Sequence, residues 1–214
     1  MGLIGKKKKK LVTRGGGVSS REQSPLRPSG VPKPAPCGME GCPNHNHIRH
    51  MLMTISKAQQ LETPMDEALE KAWKIFAETT PFHSVCGRVC PHPCESACNR
   101  NGKEGGVGIN AIERFIGDYA LEKKFTPPML TDQKRSEKIA VIGSGPAGIS
   151  CAYQLARRGY QVTIFEAFPK TGGMLRYGIP DYRLPQSILD AEIQRVLDMG
   201  VDLKTNTIVG KDVT

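Results

Sequence analysis

The sequence lacks several features that would place it in common protein classes. No apolar stretch approaches the ~20 residues needed to cross a bilayer, and no apolar segment follows the N-terminal lysines as it would in a signal peptide. Aromatic residues are scarce, at 6% of the chain, and none is interleaved with the lysine run at positions 6–10 to stack on nucleic-acid bases. We therefore expect a cytoplasmic protein with no membrane span and no nucleic-acid partner.

The N-terminal segment also lacks the composition of a folded domain. Its first 35 residues contain no Asp, five consecutive lysines occupy positions 6–10, and the net charge of the whole chain is +9. Three glycines at positions 15–17 and five prolines between Pro25 and Pro36 follow. Glycine adds backbone freedom and proline blocks helix formation, so residues 1–36 are predicted to form a flexible, basic arm.

The next region, residues 37–131, shows helical periodicity. One predicted helix carries a buried stripe at helical spacing, made of Leu69, Ala72, Trp73 and Phe76. A later helix is expected to place one apolar face toward the core, made of Ile112, Phe115, Ile116 and Tyr119. Between the two helices lies a loop rich in cysteine and broken by proline. We predict an α-helical domain over these residues.

Residues 132–214 show a different periodicity, typical of an α/β domain. A linker with Pro127 and Pro128 precedes a short apolar strand at 138–142, a glycine turn, a helix to Arg158 and a second strand at 161–165. Strand, helix and strand in this order predict a parallel, Rossmann-type unit. Cys151 lies on the predicted helix, where we expect a small buried side chain rather than a metal ligand.

The glycine turn matches the dinucleotide-binding pattern G-x-G-x-x-G. It is made of Gly143, Ser144, Gly145, Pro146, Ala147 and Gly148. The first glycine permits the tight turn, the second a close approach to a pyrophosphate, and the third close packing of helix on strand. Glu166 ends the next strand, where a carboxylate accepts hydrogen bonds from a ribose diol. This context predicts a dinucleotide site.

Six of the seven cysteines fall in the helical region, namely Cys37, Cys42, Cys86, Cys90, Cys94 and Cys98. The last four are spaced four residues apart, but Pro91 and Pro93 exclude a continuous helix. Thiolates in such loops suit an iron–sulfur cluster, and two of the cysteines precede proline as in bacterial ferredoxins. A structural zinc site, with nearby histidines as further ligands, is the alternative.

The order of these motifs resembles the small subunit of glutamate synthase and its relatives, which include the N-terminal half of dihydropyrimidine dehydrogenase. The resemblance covers residues 36–214, and the N-terminal arm also resembles the sulfite-reductase-associated subfamily. It implies an α-helical [4Fe-4S] domain followed by an FAD-binding Rossmann domain, which exchanges electrons with NAD(P)H on a second Rossmann domain. In this resemblance Gly172 and Gly173 pass close to the FAD, and Met174 and Arg183 contact it.

The resemblance also implies a ligand set. One cluster maps onto Cys42, Cys90, Cys94 and Glu113, although Glu113 could instead cap its helix together with Asn110. A second cluster would map onto Cys37 and Cys98, but the family's two remaining cysteines are missing upstream. Either the second cluster is absent or Cys86, which has no ligand role in the family, is recruited to it.

These expectations define the function hypotheses. The first is part of an FAD- and [4Fe-4S]-containing NAD(P)H:acceptor oxidoreductase, in which the cofactors carry the chemistry and no residue acts as an acid–base catalyst. The alternatives are a non-catalytic electron-transfer or docking subunit and a zinc-stabilised binding module. Only one glycine motif is present, so we expect an incomplete FAD domain, no NAD(P)H site on this chain, and a partner subunit.

Overall fold

The structure, a computed structural model, describes residues 35–213. The predicted N-terminal arm lies outside the described residues up to position 34. From its first described residues the chain forms a π-helical turn at Cys37–Gly41, followed by the helices α1 (Ile48–Ser56), α2 (Met65–Ala77), α3 (His83–Val89), α4 (Pro93–Ser96) and α5 (Ile109–Glu122). This region is helical, as predicted.

The second half is an α/β unit in which parallel strands alternate with helices. It contains β1 (Lys138–Ile142), α6 (Pro146–Ala156), β2 (Gln161–Phe165), α7 (Met174–Tyr177), α8 (Gln186–Leu197) and β3 (Asp202–Lys204). The strands lie in the order β1-β2-β3 and both pairings are parallel, with Lys138 opposite Gln161 and Thr163 opposite Asp202. Strands β1 and β2 have the predicted bounds, and the unit is Rossmann-like.

The helical region packs around one aromatic and aliphatic cluster. Trp73 and Phe76 of α2 are buried in it, with Met51 of α1 and Ile109 and Ile116 of α5. The predicted stripe of α2 is therefore confirmed. The predicted face of α5 is wrong in part, because the Phe115 side chain is 56% exposed. The buried stripe of α5 is made of Ile109, Glu113, Ile116, Gly117 and Ala120.

A second hydrophobic cluster forms the core of the α/β unit, and α3 takes part in it. Phe82 and Val85 pack there with Ile149 and Tyr153 of α6, Ile164 of β2, and Leu189 of α8. Because α3 precedes the cysteine-rich loop, the helix that begins this loop is anchored in the core of the Rossmann-like unit. The two halves are thus joined by packing as well as by the linker.

Candidate functional site

One cavity brings together most of the predicted metal ligands. It has a volume of about 210 Å³, and its lining includes the side chains of Cys42, Cys86, Cys90, Cys94 and Glu113. Burial, followed by the charges of the Cys42 and Cys90 thiols, raises the pKa of Cys94 to about 12. The four residues assigned to the first cluster from the sequence therefore face one space, although their role as ligands stays a prediction. We call this space the cluster cavity.

Cys90 and Cys94 lie on either side of a break between two short helices. Helix α3 ends at Val89, Cys90 is extended, and α4 begins at Pro93 after a left-handed residue, His92, with φ +44°. The backbone N–H of His92 donates a hydrogen bond to the Cys90 Sγ over 3.3 Å. Such N–H···S bonds are among the groups that tune the potential of an iron–sulfur cluster.

Glu113 is a buried carboxyl group in the middle of α5, not a cap. The helix begins at Ile109, and its preceding residue, Gly108, makes no side-chain cap. The Asn110 side-chain amide donates to the Cys86 carbonyl oxygen over 3.2 Å, so the alternative of a capping pair is wrong. Burial first, and then the charge of Glu192, raises the pKa of Glu113 to about 8. A buried carboxyl group facing thiols is available to a metal.

Close contact of α3 with α5 sets the position of Glu113 relative to the cysteines. A Cβ atom on Gly87 of α3 would lie 2.4 Å from the Cα of Arg114, and one on Gly117 of α5 would lie 2.5 Å from the Ser84 nitrogen. Only glycine allows both approaches, because contacts this short are not tolerated by a side chain. The two helices therefore meet backbone to backbone beside the cluster cavity.

The donor set of the cluster cavity fits an iron–sulfur cluster. Within residues 35–213, no three His, Cys, Asp or Glu side chains lie close enough together to bind one metal ion. The ligands of a four-iron cluster lie farther apart than those of a single ion, because each ligand binds a different iron atom. These ligands are chiefly thiolates. The wall adds apolar groups, Ile48, Phe76 and Ile109, which keep the dielectric constant low.

Cys37 and Cys98 line a different cavity, as their assignment to a second cluster requires. This second cavity has a volume of about 670 Å³ and is otherwise mostly apolar, with Leu52, Ile112 and Phe115 among its lining. Cys86 is not among the described residues that line it. The alternative in which Cys86 completes a second cluster has no support in this arrangement, because Cys86 lines the cluster cavity instead. The described residues supply two thiols to the second cavity.

Cys151 differs from the expectation as well. It lies on α6, but its side chain is exposed rather than buried. The buried residues of this helix are Ile149, Ala152, Tyr153 and Ala156. Cys151 thus points away from the apolar core and lies apart from both cysteine-lined cavities.

The glycine turn has the geometry of a dinucleotide-binding loop. Gly143 has φ +91°, and Gly145 is the residue from which α6 starts, with Pro146 at its first position and Ala147 next. A Cβ atom on Gly148 would lie 2.0 Å from the Gly143 carbonyl oxygen, so any side chain there would break the turn. The turn leaves the N-terminus of α6, with its free N–H groups, open to a phosphate.

Glu166 is held by the turn itself, which sequence reasoning did not show. Its Oε2 accepts hydrogen bonds from the backbone N–H (2.8 Å) and the hydroxyl of Ser144, and its Oε1 accepts one from the Phe168 N–H over 2.9 Å. Burial acts to raise its pKa, but these hydrogen bonds outweigh it and lower the pKa. The ionised Glu166 side chain therefore connects the end of β2 to the glycine turn through hydrogen bonds. Its contact with a ribose stays a prediction.

A second pair of glycines lies against the turn. Gly172 and Gly173 have φ values of +109° and +51°, and the Gly172 N–H donates to the Ser144 carbonyl oxygen over 3.0 Å. A Cβ atom on Gly173 would lie 2.8 Å from the Cα of Gly145. Met174 follows at the start of α7, with its side chain 71% exposed, and Arg183 is exposed as well. The glycines form one continuous backbone surface with the turn.

Arg176 supports this surface, a role that no pattern in the sequence indicated. Its guanidinium donates to the Thr171 carbonyl oxygen and to the side chains of Gln186 and Asp190, so it joins the second glycine pair to α8. Sequence spacing could not reveal this contact, since the partners follow ten and fourteen residues later in a separate helix.

Glu192 connects the nucleotide half to the cysteine half. This fully buried side chain of α8 accepts hydrogen bonds from the backbone N–H groups of Ser84 (2.8 Å) and Val85 (3.0 Å), at the start of α3. Burial is the main cause that raises the pKa of Glu192 to about 7. Arg157 of the segment after α6 adds bonds to the Glu78 and Pro128 carbonyl oxygens. Helix α3 is therefore fixed by α8 at one end and carries Cys86 and Cys90 near the other.

Comparison with known proteins agrees with this division of the chain. Residues 32–125 match the family described as dihydropyrimidine dehydrogenase domain II, 4Fe-4S cluster. Residues 141–200 match the NAD(P)-binding Rossmann-like domain. The first match favours an iron–sulfur cluster over zinc, and the fold is a helical 4Fe-4S domain followed by a Rossmann-like region. Within residues 35–213, no helix has the length and apolar character needed to cross a membrane.

Several curated relatives are similar in sequence to most of this chain. The NADPH-Fe(3+) oxidoreductase subunit beta of Geobacter sulfurreducens is 41% identical over 84% of this chain, which corresponds to 26% of the relative. The NADP(+)-dependent formate dehydrogenase subunit beta of Moorella thermoacetica is 40% identical over 84% of the chain and 27% of the relative. The glutamate synthase [NADPH] small chain of Escherichia coli is 36% identical over 80% of the chain and 35% of the relative.

The chain therefore spans about a quarter to a third of the length of these relatives. The names of the relatives describe oxidoreductase subunits, and the two domain matches fall on the two halves described above. The resemblance predicted from the motifs is confirmed: over most of its length this chain is similar to the glutamate synthase small-subunit-like iron–sulfur oxidoreductases.

Proposed function

We propose that residues 35–213 form the part of an NAD(P)H:acceptor oxidoreductase that passes electrons between FAD and one [4Fe-4S] cluster. The observation that carries this proposal is the cluster cavity, which gathers four cysteines and a buried carboxyl group beside a Rossmann-like unit. Helix α3 reaches both, because it packs in the Rossmann core and bears cavity residues. When bound, the two cofactors supply the electron-transfer chemistry, and the protein supplies position and potential.

The residues proposed to hold the cluster are Cys42, Cys90, Cys94 and Glu113. Cys42 comes from the end of the π-helical turn, Cys90 and Cys94 from either side of the helix break, and Glu113 from α5. Their donors approach from four separate segments, so the site depends on tertiary packing rather than on one local motif. The N–H of His92 would stabilise negative charge on the Cys90 sulfur.

We propose FAD, rather than a nicotinamide nucleotide, as the molecule bound at the glycine turn. The domain match is described as NAD(P)-binding, and the glycine turn by itself suits either dinucleotide. The choice is supported by Gly172 and Gly173, which continue the backbone surface of the turn, and by the family resemblance, which assigns FAD contacts to the exposed Met174 and Arg183. Ser144 and Glu166 shape the turn, and the N-terminus of α6 would face the pyrophosphate.

For the reductant and the acceptor, we propose only the chemical class. The relatives from Geobacter, Moorella and Escherichia carry NADPH or NADP(+) in their names. We propose that electrons enter or leave through NAD(P)H bound outside residues 35–213, and that a partner subunit completes the reaction. An electron-transfer or docking subunit without a reaction of its own is the second outcome of the test below.

The test is anaerobic purification and reconstitution with iron, sulfide and FAD, followed by acid release of the bound nucleotide and its identification by chromatography. We expect released FAD and a visible spectrum with flavin and iron–sulfur bands that dithionite bleaches. Released NADP(H) without flavin would overturn the assignment of the glycine turn. A colourless protein that contains zinc would overturn the cluster. Reduction by NADPH of the whole protein separates an enzyme from a docking subunit.

A further inference from the structure

The cluster cavity contains one ligand more than a cluster needs. A [4Fe-4S] cluster takes four protein ligands, whereas Cys86 lines the cavity in addition to the four residues proposed above. Building on the proposed function, we propose that Glu113 and Cys86 are alternative ligands for the same iron atom, so that the fourth position can exchange a carboxylate for a thiolate.

The helix geometry places the two side chains beside each other. Cys86 lies one helical turn before Cys90, whose N–H donates to the Cys86 carbonyl oxygen over 2.9 Å, so the two residues are neighbours at the C-terminal end of α3. The same carbonyl oxygen accepts the Asn110 side-chain amide, and Asn110 precedes Glu113 by one turn of α5. Cys86 and Glu113 therefore belong to adjacent turns of two helices in direct contact.

The contact between α3 and α5 limits how far these side chains can separate. Gly87 follows Cys86 directly, and its Cα faces the backbone of Arg114, which follows Glu113. A cluster bound to Cys90 therefore has both remaining donors within reach from one wall. Cys42 and Cys94 approach from the π-helical turn and from α4, so they do not compete for this position.

The exchange balances without an oxidant or reductant. An iron–oxygen bond to Glu113 breaks, an iron–sulfur bond to Cys86 forms, and the thiol proton passes to the released carboxylate. One anionic ligand replaces another, so the total charge of cluster and protein is unchanged. A thiolate is the usual ligand of iron–sulfur clusters, so Cys86 can also take the position when Glu113 is replaced by alanine; its thiol proton is then released to solvent.

The test compares Glu113→Ala, Cys86→Ala and the double variant after anaerobic reconstitution, by iron content and Mössbauer spectroscopy. We expect wild type to contain about four iron atoms, one of them distinct from the rest because its ligand is oxygen. Glu113→Ala should keep all four iron atoms and lose the distinct one, since Cys86 takes its place. Cys86→Ala should keep the distinct iron fully, and the double variant should retain a cluster of about three iron atoms.

Loss of an iron atom in Glu113→Ala to the same extent as in the double variant would overturn the inference. So would a distinct iron that persists in Glu113→Ala. Cys151→Ala, which removes an exposed thiol of α6, is the matched control, and circular dichroism of each variant establishes that it folds. If Cys90→Ser retains the full iron content, the cluster assignment itself fails, and this result is separate from any outcome for Cys86.

Discussion

The two cavities of the helical region are both lined by cysteines, but they contain different numbers of potential metal ligands. The cluster cavity gathers four thiols and one buried carboxyl group, whereas the described residues supply only Cys37 and Cys98 to the second cavity. Cys94 and Cys98 are one helical turn apart in sequence, yet they line different cavities. The difference shows that ligand sets are assembled by the packing of segments, and that regular spacing along the chain says little about which cysteines act together.

The largest expected effect is a contrast between matched serine variants of the two cavities. Cys90→Ser should abolish the reconstituted cluster, because it removes a ligand on which the cluster depends. Cys98→Ser should leave the iron content close to that of wild type, because its cavity holds no complete ligand set among the described residues. Iron and acid-labile sulfide per chain measure both. Equal losses of iron in the two variants would contradict the proposed difference between the two cavities.

A pH-dependent effect should mark the buried surroundings of the cluster cavity. His83 lies behind Glu113, with 4.0 Å between its Nδ1 and the Glu113 Oε1. Burial, and then the charge of Arg195, lowers its pKa from 6.5 to about 3. The folded protein therefore binds fewer protons at this site than the unfolded chain between these values. Its stability contribution is complete above pH 6.5 and is lost as the pH falls toward 3.

This linkage is measurable with urea unfolding of the metal-free protein between pH 5 and pH 6.5, as the difference between wild type and His83→Gln. The difference in unfolding free energy should rise by about 1.1 kcal/mol per pH unit on average as the pH increases, with the limiting slope of about 1.4 kcal/mol per unit approached toward pH 5. The raised pKa values of Glu113 and Glu192 act in the opposite direction, but they are present in both proteins and largely cancel. The exposed His47→Gln variant is the control, and a slope equal to that of the control would contradict the assignment.

A smaller effect should follow from disturbing the contact between α3 and α5. In Gly117→Ala the new methyl group would lie 2.5 Å from the Ser84 nitrogen, so the helices must separate. We expect a loss of about 1–3 kcal/mol in the free energy of unfolding, with weaker iron retention in the presence of a chelator. Gly102→Ala is the matched control, because a Cβ atom there would meet no atom within 4 Å. An equally mild effect of both variants would show that the contact does not position the cluster.

The smallest effect on the cavities is expected from a change at the glycine turn. Glu166→Gln replaces an acceptor of the Ser144 N–H and hydroxyl by an amide that can satisfy only part of these bonds. FAD affinity, measured by flavin fluorescence, should fall about tenfold, which corresponds to roughly 1.4 kcal/mol. Iron content should not change. Asp202→Asn on the exposed edge of β3 provides the control, and a parallel loss of iron would show that the two sites are not separate.

Much of the fold could be predicted from local pattern. Strands β1 and β2 have their predicted bounds because a short apolar run next to a glycine turn leaves few alternatives, and the stripe of α2 follows from its regular spacing. The orientation of α5 was predicted less well. Phe115 fits an apolar stripe by composition, but the buried side of the helix contains Glu113. Hydrophobicity alone cannot predict that a carboxyl group is buried. The position of Glu113 was therefore predicted only from the family resemblance.

The remaining parts of the site depend on contacts between distant segments. Glu192 binds α3 across more than one hundred residues of sequence, and Arg176 reaches α8 from the short helix α7. The position of Cys86 depends in the same way on α3 packing against α5 and the Rossmann core. No local pattern encodes these contacts, and they explain why Cys86 lines the cluster cavity rather than the second cavity, together with the four residues that the sequence predicts as ligands of one cluster.

The most direct test of the central claim is the iron content and Mössbauer spectrum of the anaerobically reconstituted protein. We predict about four iron atoms per chain in one cluster, lost in Cys90→Ser and kept in Cys98→Ser. About eight iron atoms per chain, or zinc in place of iron, would contradict the proposal that, within residues 35–213, only the cluster cavity holds a complete ligand set.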